Sequence, residues 1–140
     1  MPRADFYLID KPRFREQPLL LVCELAKRAY TAQQPTLVLA RDFEQAEAID
    51  QLLWDFDDDA WIPHQIAGDD DDDNTAVLIV PPGVETPDRP MLINLRESCP
   101  AGRFERVLEV VAAESAEREG SRTRWAEYKR LGIEVAKHDM

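Results

Sequence analysis

Residues 4–40 read ADFYLIDKPRFREQPLLLVCELAKRAYTAQQPTLVLA, and this stretch decides the fold. Residues 4–9 and 36–40 are short apolar runs of the kind that form buried strands. Between them, apolar residues recur at the helical period from residue 19 to residue 30. Two strands joined by such a helix run parallel, because a helical crossover lets the second strand start at the same end as the first. The stretch therefore predicts an α/β fold with a mostly parallel central sheet flanked by helices.

The rest of the chain continues this pattern with one long interruption. Asp42 and Gln45 are spaced as in a capping box and predict a second helix after residue 42. Residues 55–73 hold acids and no base, and we expect them to be irregular. Later apolar patterns predict strands at residues 76–80, 91–95 and 106–111 and a helix at 113–131 that Gly132 caps. The strand order stays open.

Composition favours one acidic domain that spans residues 1–140. The chain has 28 acids against 17 lysines and arginines, a net charge of -11, and 44% hydrophobic residues. Cys23 and Cys99 form no paired motif and are expected to be free thiols in a reducing cytoplasm. We find no leader-like pattern at residues 1–5 and no apolar run long enough to span a bilayer, so the sequence predicts a cytoplasmic protein.

A cationic and aromatic stripe stands out on this acidic background. Arg118, Arg122, Trp125 and Lys129 are spaced by four, three and four residues, so they share one face of the predicted terminal helix. Such a stripe suits an anionic and partly apolar ligand, and a short acidic peptide can touch it without meeting the acidic remainder of the chain. Long nucleic acids fit less well, because the net charge repels a polyanion. The alternative is a solvated helix face with Trp125 in the core.

No motif predicts catalysis, a cofactor or a metal site. The chain has only five glycines, none follows the first strand, and neither GxxxxGK[ST] nor GxGxxG occurs. His64 and His138 are far apart, and the five aspartates at 69–73 lack the glycine and glutamate of a calcium loop. Two other function classes are kept as alternatives: a degenerate nucleotide-binding α/β enzyme, and a direct binder of single-stranded nucleic acid.

A second candidate surface surrounds the first acidic run. Its residues are Trp54 and the segment formed by Trp61, Ile62, Pro63 and His64. Two tryptophans are more aromatic area than an irregular segment needs, and exposed aromatic area often marks a protein contact. The same residues could instead fold back over the sheet, and the pattern alone leaves both interpretations open.

Several segments in a fixed order carry a resemblance to a known family. They are FYLID at 6–10, LVCELA at 21–26, LLW at 52–54, WIPHQIAG at 61–68, MLINLR at 91–96, EVV at 109–111 and RxRWxxYKxxG at 122–132. Together they resemble the chi subunit of the bacterial DNA polymerase III holoenzyme, which is associated with the clamp loader. The match runs along nearly the whole chain.

This resemblance implies a non-catalytic accessory protein of the nucleoid-associated replisome, a monomer or a heterodimer, with a mononucleotide-binding-like topology but no nucleotide site. One surface would bind the acidic, phenylalanine-terminated tail of single-stranded DNA-binding protein through Val111, Arg118, Arg122, Trp125 and Lys129. The other surface would bind the psi subunit, or in some relatives an accessory helicase, through Trp54, Trp61, Ile62, Pro63 and His64.

Three departures from the family pattern bear on these expectations. Trp125 stands where a tyrosine is expected, and Trp61 stands where a phenylalanine is expected. The five aspartates at 69–73 are not part of the family pattern. One hypothesis is that this run competes with the acidic tail for the basic stripe in the free protein.

Overall fold

The chain, described here from a computed structural model over residues 2–69 and 72–140, folds as alternating strands and helices. The strands in this part of the chain are β1 Arg3–Leu8, β2 Thr36–Leu39, β3 His64–Ile66, β4 Val77–Val80, β5 Met91–Asn94, β6 Arg106–Val111 and β7 Glu134–Asp139. The helices are α1 Pro12–Glu16, α2 Pro18–Thr31, α3 Phe43–Asp55 and α4 Ser115–Arg130, with a 3-10 turn at Asp72–Asn74.

The strands form a single sheet in the order β3-β4-β2-β5-β6-β1-β7. Every neighbouring pair is parallel, so the predicted α/β class with a parallel sheet is confirmed. The order, which the sequence left open, places β3 at one edge and β7 at the other. β7 pairs with β1, and its outer side has no neighbouring strand among the described residues.

The apolar runs predicted most of the elements to within a residue or two, but three short or polar elements were missed. α1 has only five residues, and β3 has three residues where the sequence predicted irregular structure. β7 reads EVAKHD, and its burial pattern shows no fully buried position. An edge strand that is never fully buried does not need an apolar sequence, so periodicity could not reveal it.

The sheet carries two separate apolar layers, and neighbouring residues of β1 serve opposite ones. Tyr7 belongs to the layer beneath α2 and α3. Phe6 belongs to the layer beneath α4, together with Val111 and Tyr128. Side chains alternate between the two faces of a strand, which explains the division. No helix in the described ranges is long and apolar enough to cross a bilayer.

The end of α4 confirms the predicted glycine cap and sets the start of β7. Gly132 has a φ of 79°. Its N–H donates to the Lys129 carbonyl at 3.0 Å, and the Ile133 N–H donates to the Tyr128 carbonyl at 2.9 Å. This pair of bonds is a Schellman motif, which closes the helix and turns the chain back. The turn brings β7 alongside β1.

Candidate partner-binding surfaces

The cationic stripe lies along one side of α4. Arg118, Arg122 and Lys129 are exposed, and Trp125 is half-buried. Arg124 and Tyr128, by contrast, are buried on the side of α4 that faces the sheet. Successive residues of a helix differ by about 100° in direction, so Trp125 points sideways from the buried line rather than away from the sheet.

The three exposed cations of the stripe have no acidic partner within the described parts of the chain. No ion pair in residues 2–69 and 72–140 includes Arg118, Arg122 or Lys129. Two other arginines of the same helix do form ion pairs: Arg124 with Glu109 at 2.9 Å, and Arg130 with Glu127 at 2.5 Å. The stripe is therefore the part of α4 whose positive charge is not neutralised by any residue that the structure describes.

Trp125 rests on a partner that the sequence analysis did not assign. Its ring lies 5.1 Å from the ring of Phe6, measured between centroids, at an interplanar angle of 57°. Both belong to the apolar layer that includes Val111, whose exposed fraction is only 1%. Val111 therefore lies in the core beneath this surface, and Trp125 is the apolar residue of the set that solvent reaches.

A buried acid fixes the rotation of α4 on the sheet. The carboxylate of Glu109 accepts hydrogen bonds from Asn94 Nδ2 at 2.8 Å, from Arg124 Nε at 2.9 Å and from the Tyr128 hydroxyl at 2.5 Å. Burial raises the pKa of Glu109 against the opposing effect of Arg124. Burial and the adjacent Glu109 charge also raise the pKa of the Tyr128 hydroxyl. With Arg124 and Tyr128 held over β6, Trp125 is directed toward β1 and β7.

Sequence reasoning missed this network, although one signal for it exists. Glu109 is the only acid in the strand RVLEVV, and it is fully buried. A charged group inside an apolar strand needs hydrogen-bond donors nearby, so its presence predicts a polar contact to whatever covers the strand. Which residues supply the donors depends on tertiary packing.

The second candidate surface is aromatic and lies at the β3 edge of the sheet. Trp54, near the end of α3, is 54% exposed, and Trp61, before β3, is 67% exposed. The Trp54 ring lies 4.7 Å from the imidazole of His64 at an angle of 57°. Two large exposed indoles near the same strand are unusual on a soluble surface.

The other residues of this set lie beneath the tryptophans. Ile62 is 2% exposed and belongs to the core under α2 and α3. The His64 ring is enclosed, with Nδ1 at 2.7 Å from the Ile62 carbonyl and Nε2 at 3.0 Å from the Asp50 carbonyl. Pro63 is half-buried, and its carbonyl accepts the Val77 N–H at 3.1 Å. These three residues can support a contact made by Trp54 and Trp61.

The acidic run at 69–73 lies between β3 and β4, although Asp70 and Asp71 are outside the described residues. Asp72 accepts hydrogen bonds from the Gly68 N–H at 2.8 Å and from Gln65 Nε2 at 2.6 Å. Desolvation acts to raise the pKa of Asp72, but these hydrogen bonds outweigh it and the pKa is lowered. β3 and β4 are at the far side of the sheet from β7 and α4. This separation argues against the hypothesis that the run competes for the stripe.

A cavity of about 520 Å³ lies at the carboxyl ends of the central strands, where proteins of this fold class often bind ligands. The described lining holds five carboxylates (Asp42, Glu44, Glu97, Glu114, Glu117) and three guanidinium groups (Arg41, Arg96, Arg124). Arg96 is already engaged, because it donates to the Ala40 carbonyl at 3.0 Å and to the Val80 carbonyl at 2.8 Å. An excess of carboxylates disfavours a phosphate-bearing ligand.

Comparisons with known proteins agree with the motif resemblance. Residues 1–136 match the family described as DNA polymerase III chi subunit, HolC. A protein named DNA polymerase III subunit chi from Pseudomonas aeruginosa is 34% identical over 143 residues, which cover 99% of this chain and 96% of that protein. The protein of the same name from Escherichia coli is 28% identical over 141 residues and 96% of each chain.

Two solved structures share the fold at low sequence identity. The C-terminal domain of the DEAD-box protein Dbp5 has a TM-score of 0.62 and 13% identity, with 99% of this chain and 90% of that chain covered. A DEAD box protein from Methanococcus jannaschii has a TM-score of 0.61 and 13% identity, with 96% of this chain and 41% of that chain covered. These likenesses concern the fold alone. The near-complete family match and the two relatives confirm the resemblance, and the chain belongs to the DNA polymerase III chi subunit family, whose role is accessory to DNA replication.

Proposed function

We propose that this chain is a non-catalytic adaptor that links the clamp loader of DNA polymerase III to single-stranded DNA-binding protein. One surface, the stripe of α4, would bind the acidic carboxyl-terminal tail of single-stranded DNA-binding protein. The other surface, at Trp54 and Trp61, would bind psi or an accessory helicase. The observation that carries the proposal is a set of exposed cations beside a half-buried tryptophan on a strongly acidic protein, with no ion pair to these cations from any described residue.

In the tail site, the cations and the aromatic have different tasks. Arg118, Arg122 and Lys129 attract and orient the acidic residues of the tail, and each exposed ion pair contributes only about 0 to 1 kcal/mol. Trp125, resting on Phe6, gives a flat apolar surface for the terminal phenylalanine. A buried contact between two aromatic rings contributes more binding free energy than an exposed ion pair does. The terminal phenylalanine should therefore supply most of the affinity.

Calorimetry with the tail peptide tests this site directly. The full chain should bind the carboxyl-terminal peptide of the single-stranded DNA-binding protein from the same organism. The same peptide without its last phenylalanine should bind at least about tenfold more weakly. Added salt should weaken the binding of the intact peptide without abolishing it. Equal affinity for the two peptides would contradict the assigned role of Trp125.

The tryptophan surface is proposed for psi because its exposed area is apolar and is separate from α4. Trp54 and Trp61 are both more than half exposed, while Ile62 and His64 hold the segment in place from below. Indoles are enriched among the residues that dominate protein interfaces. An accessory helicase that binds the same two indoles would compete with psi, so one face could serve either partner.

Size-exclusion chromatography with purified psi or helicase tests the second surface. The parent chain should co-elute with its partner, and Trp54→Ala with Trp61→Ala should abolish co-elution. Tyr30→Phe, a change at another exposed aromatic, serves as the matched control and should leave the complex intact. If the double variant keeps its fold and still co-elutes, the surface has been assigned wrongly.

The two alternative functions make different predictions for the same protein. A degenerate nucleotide-binding enzyme would show a rise in melting temperature with a nucleotide, because a ligand that binds the folded state stabilises it. A direct binder of single strands would hold a bare oligonucleotide tightly and lose it steeply with salt. The excess of carboxylates around the cavity argues against a bound nucleotide, and the net charge of -11 argues against a bound oligonucleotide.

A further inference from the structure

Lys137 lies beside the tail site, on a different element from the stripe. It is an exposed residue of β7, and its register partner on β1 is Phe6. Side chains at paired positions of adjacent strands point to the same face of a sheet. The Phe6 ring contacts Trp125 at 5.1 Å and Tyr128 at 5.8 Å, so the face in question is the one that α4 covers.

The next pair along the same strands supports this orientation. Tyr7 is the register partner of His138, and their rings stack at 4.8 Å on the opposite face of the sheet. His138 Nε2 also lies 2.9 Å from the Asp5 carboxylate, which belongs to that opposite face. Because residues alternate along a strand, Lys137 points to the face of the sheet that α4 covers.

α4 and β7 therefore form a corner whose two sides carry the same charge. Arg124 and Tyr128 hold the sheet-facing line of α4 over β6, and Trp125 lies to the side of that line, against Phe6 of β1. Trp125 and Lys129 are therefore on the flank of α4 that is turned toward β7. Val135, two residues before Lys137, faces the same way and packs against the apolar layer of Phe6. No ion pair within residues 2–69 and 72–140 includes Lys137. The acid that alternation places on this face of β7 is Asp139, two residues beyond Lys137.

We propose that Lys137 is a fourth cation of the peptide-binding site and that the acidic peptide lies in the corner between α4 and β7. The inference rests on the proposed tail-binding function and adds the sheet edge to it. An acidic peptide whose terminal ring rests on Trp125 would have the stripe on one side and Lys137 on the other. Its acidic side chains could then be neutralised from both sides, which a single helix face cannot do.

Charge-neutral substitution at Lys137 tests the inference. Lys137→Gln should raise the dissociation constant of the tail peptide about three- to fivefold at low salt, which is the range expected for an exposed ion pair. Lys137→Arg should restore binding, because it keeps the charge. Arg28→Gln is the matched control: Arg28 is an exposed cation of α2 on the other face of the sheet, and the change in net charge is the same. We expect it to leave binding unchanged at moderate salt.

A double-mutant cycle separates a direct contact from a general charge effect. Each acid of the peptide is replaced in turn by its amide, and every peptide is measured with the parent chain and with Lys137→Gln. For at least one peptide position, the loss of binding free energy in the doubly changed pair should be smaller than the sum of the losses from the two single changes. If Lys137→Gln binds like Arg28→Gln while the parent binds the peptide, only the Lys137 inference fails. If the parent itself does not bind, the proposed function fails and the inference falls with it.

Discussion

The hydroxyl of Tyr128 donates a 2.5 Å hydrogen bond to the buried carboxylate of Glu109 and so ties α4 to the middle of the sheet. Tyr128→Phe removes the donor and leaves one buried carboxylate oxygen less well satisfied. Such a loss costs about 1 to 3 kcal/mol, so the free energy of unfolding should fall by that amount. Urea denaturation of the parent and the variant measures it.

A matched change on an exposed tyrosine controls this experiment. Tyr30→Phe removes the same hydroxyl from a residue that is 36% exposed, and its effect should lie within about 0.5 kcal/mol of zero. Equal losses for the two variants would mean that the Glu109 network does not hold α4.

Truncation of the stripe should weaken tail binding without unfolding the protein. Trp125→Ala removes the ring that rests on Phe6, and Arg122→Ala removes an exposed cation of the stripe. Each change should raise the dissociation constant of the tail peptide about tenfold or more, as truncations at interface centres do. Calorimetry gives the constants, and circular dichroism verifies the fold.

The control for the stripe is a cation on the far side of the same helix. Arg130 is exposed and paired with Glu127, so Arg130→Ala should leave tail binding nearly unchanged. Were Trp125→Ala and Arg122→Ala to bind like the parent while folded, the assignment of the tail site to α4 would be wrong.

Asp5 makes a prediction about pH. Burial acts to raise the pKa of Asp5, but hydrogen bonds from Arg3, His138 and Arg106 outweigh it and lower the pKa from 3.8 to about 2. The folded chain therefore binds this proton at lower pH than the unfolded chain does. The hydrogen bonds to the ionised Asp5 carboxylate stabilise the protein by about 2 kcal/mol above pH 4. This contribution is lost as the pH falls from about 4 to 2.

Comparison with Asp5→Asn isolates that contribution from the other carboxylates. The variant should be less stable than the parent near neutral pH, because Arg3 and Arg106 lose their partner. The difference should shrink steadily as the pH falls from about 4 toward 2 in thermal or urea unfolding. A difference that stays constant over this range would show that Asp5 does not titrate as described.

Replacement of Gly132 should lower the stability of the fold although it removes no side-chain contact. The φ of 79° at Gly132 lies in the left-handed region, and a β-carbon built there meets no atom of the described residues within 4 Å. Gly132→Ala should therefore cost about 1 kcal/mol through backbone strain alone, with no steric clash. Urea unfolding at neutral pH measures this loss, and unchanged stability would remove the argument.

The parallel core was predictable from sequence because its strands are buried on both faces. The runs at β2, β4 and β5 are fully buried, and apolar residues fill ten of their twelve positions, all except Thr36 and Asn94. β7 lies at an edge, where Lys137 and Asp139 remain exposed, and no such pattern exists. The five inner strands thus differ from the two edge strands, β3 and β7, in how strongly burial constrains their residues.

Only the part of the candidate site that lies on a single helix was predictable from the sequence. The spacing of Arg118, Arg122 and Lys129 follows from the helical period, so the sequence alone places them on one side. The contact of Trp125 with Phe6 joins residues that are far apart in the chain, and it depends on how α4 crosses the sheet. The same holds for Lys137, whose direction follows from a register that no local pattern encodes.

The sheet order has a consequence for how two bound partners influence each other. The surface formed by Trp54 and Trp61 adjoins β3, and the proposed tail site between α4 and β7 lies at the other edge of the seven-stranded sheet. Six spacings of about 4.8 Å between neighbouring strands put these two edges roughly 29 Å apart. Two partners held there would not collide, yet each would stay within a fixed radius of the other. The chain would then act as a stiff spacer that raises the effective local concentration of one partner near the other, with no need for a conformational change.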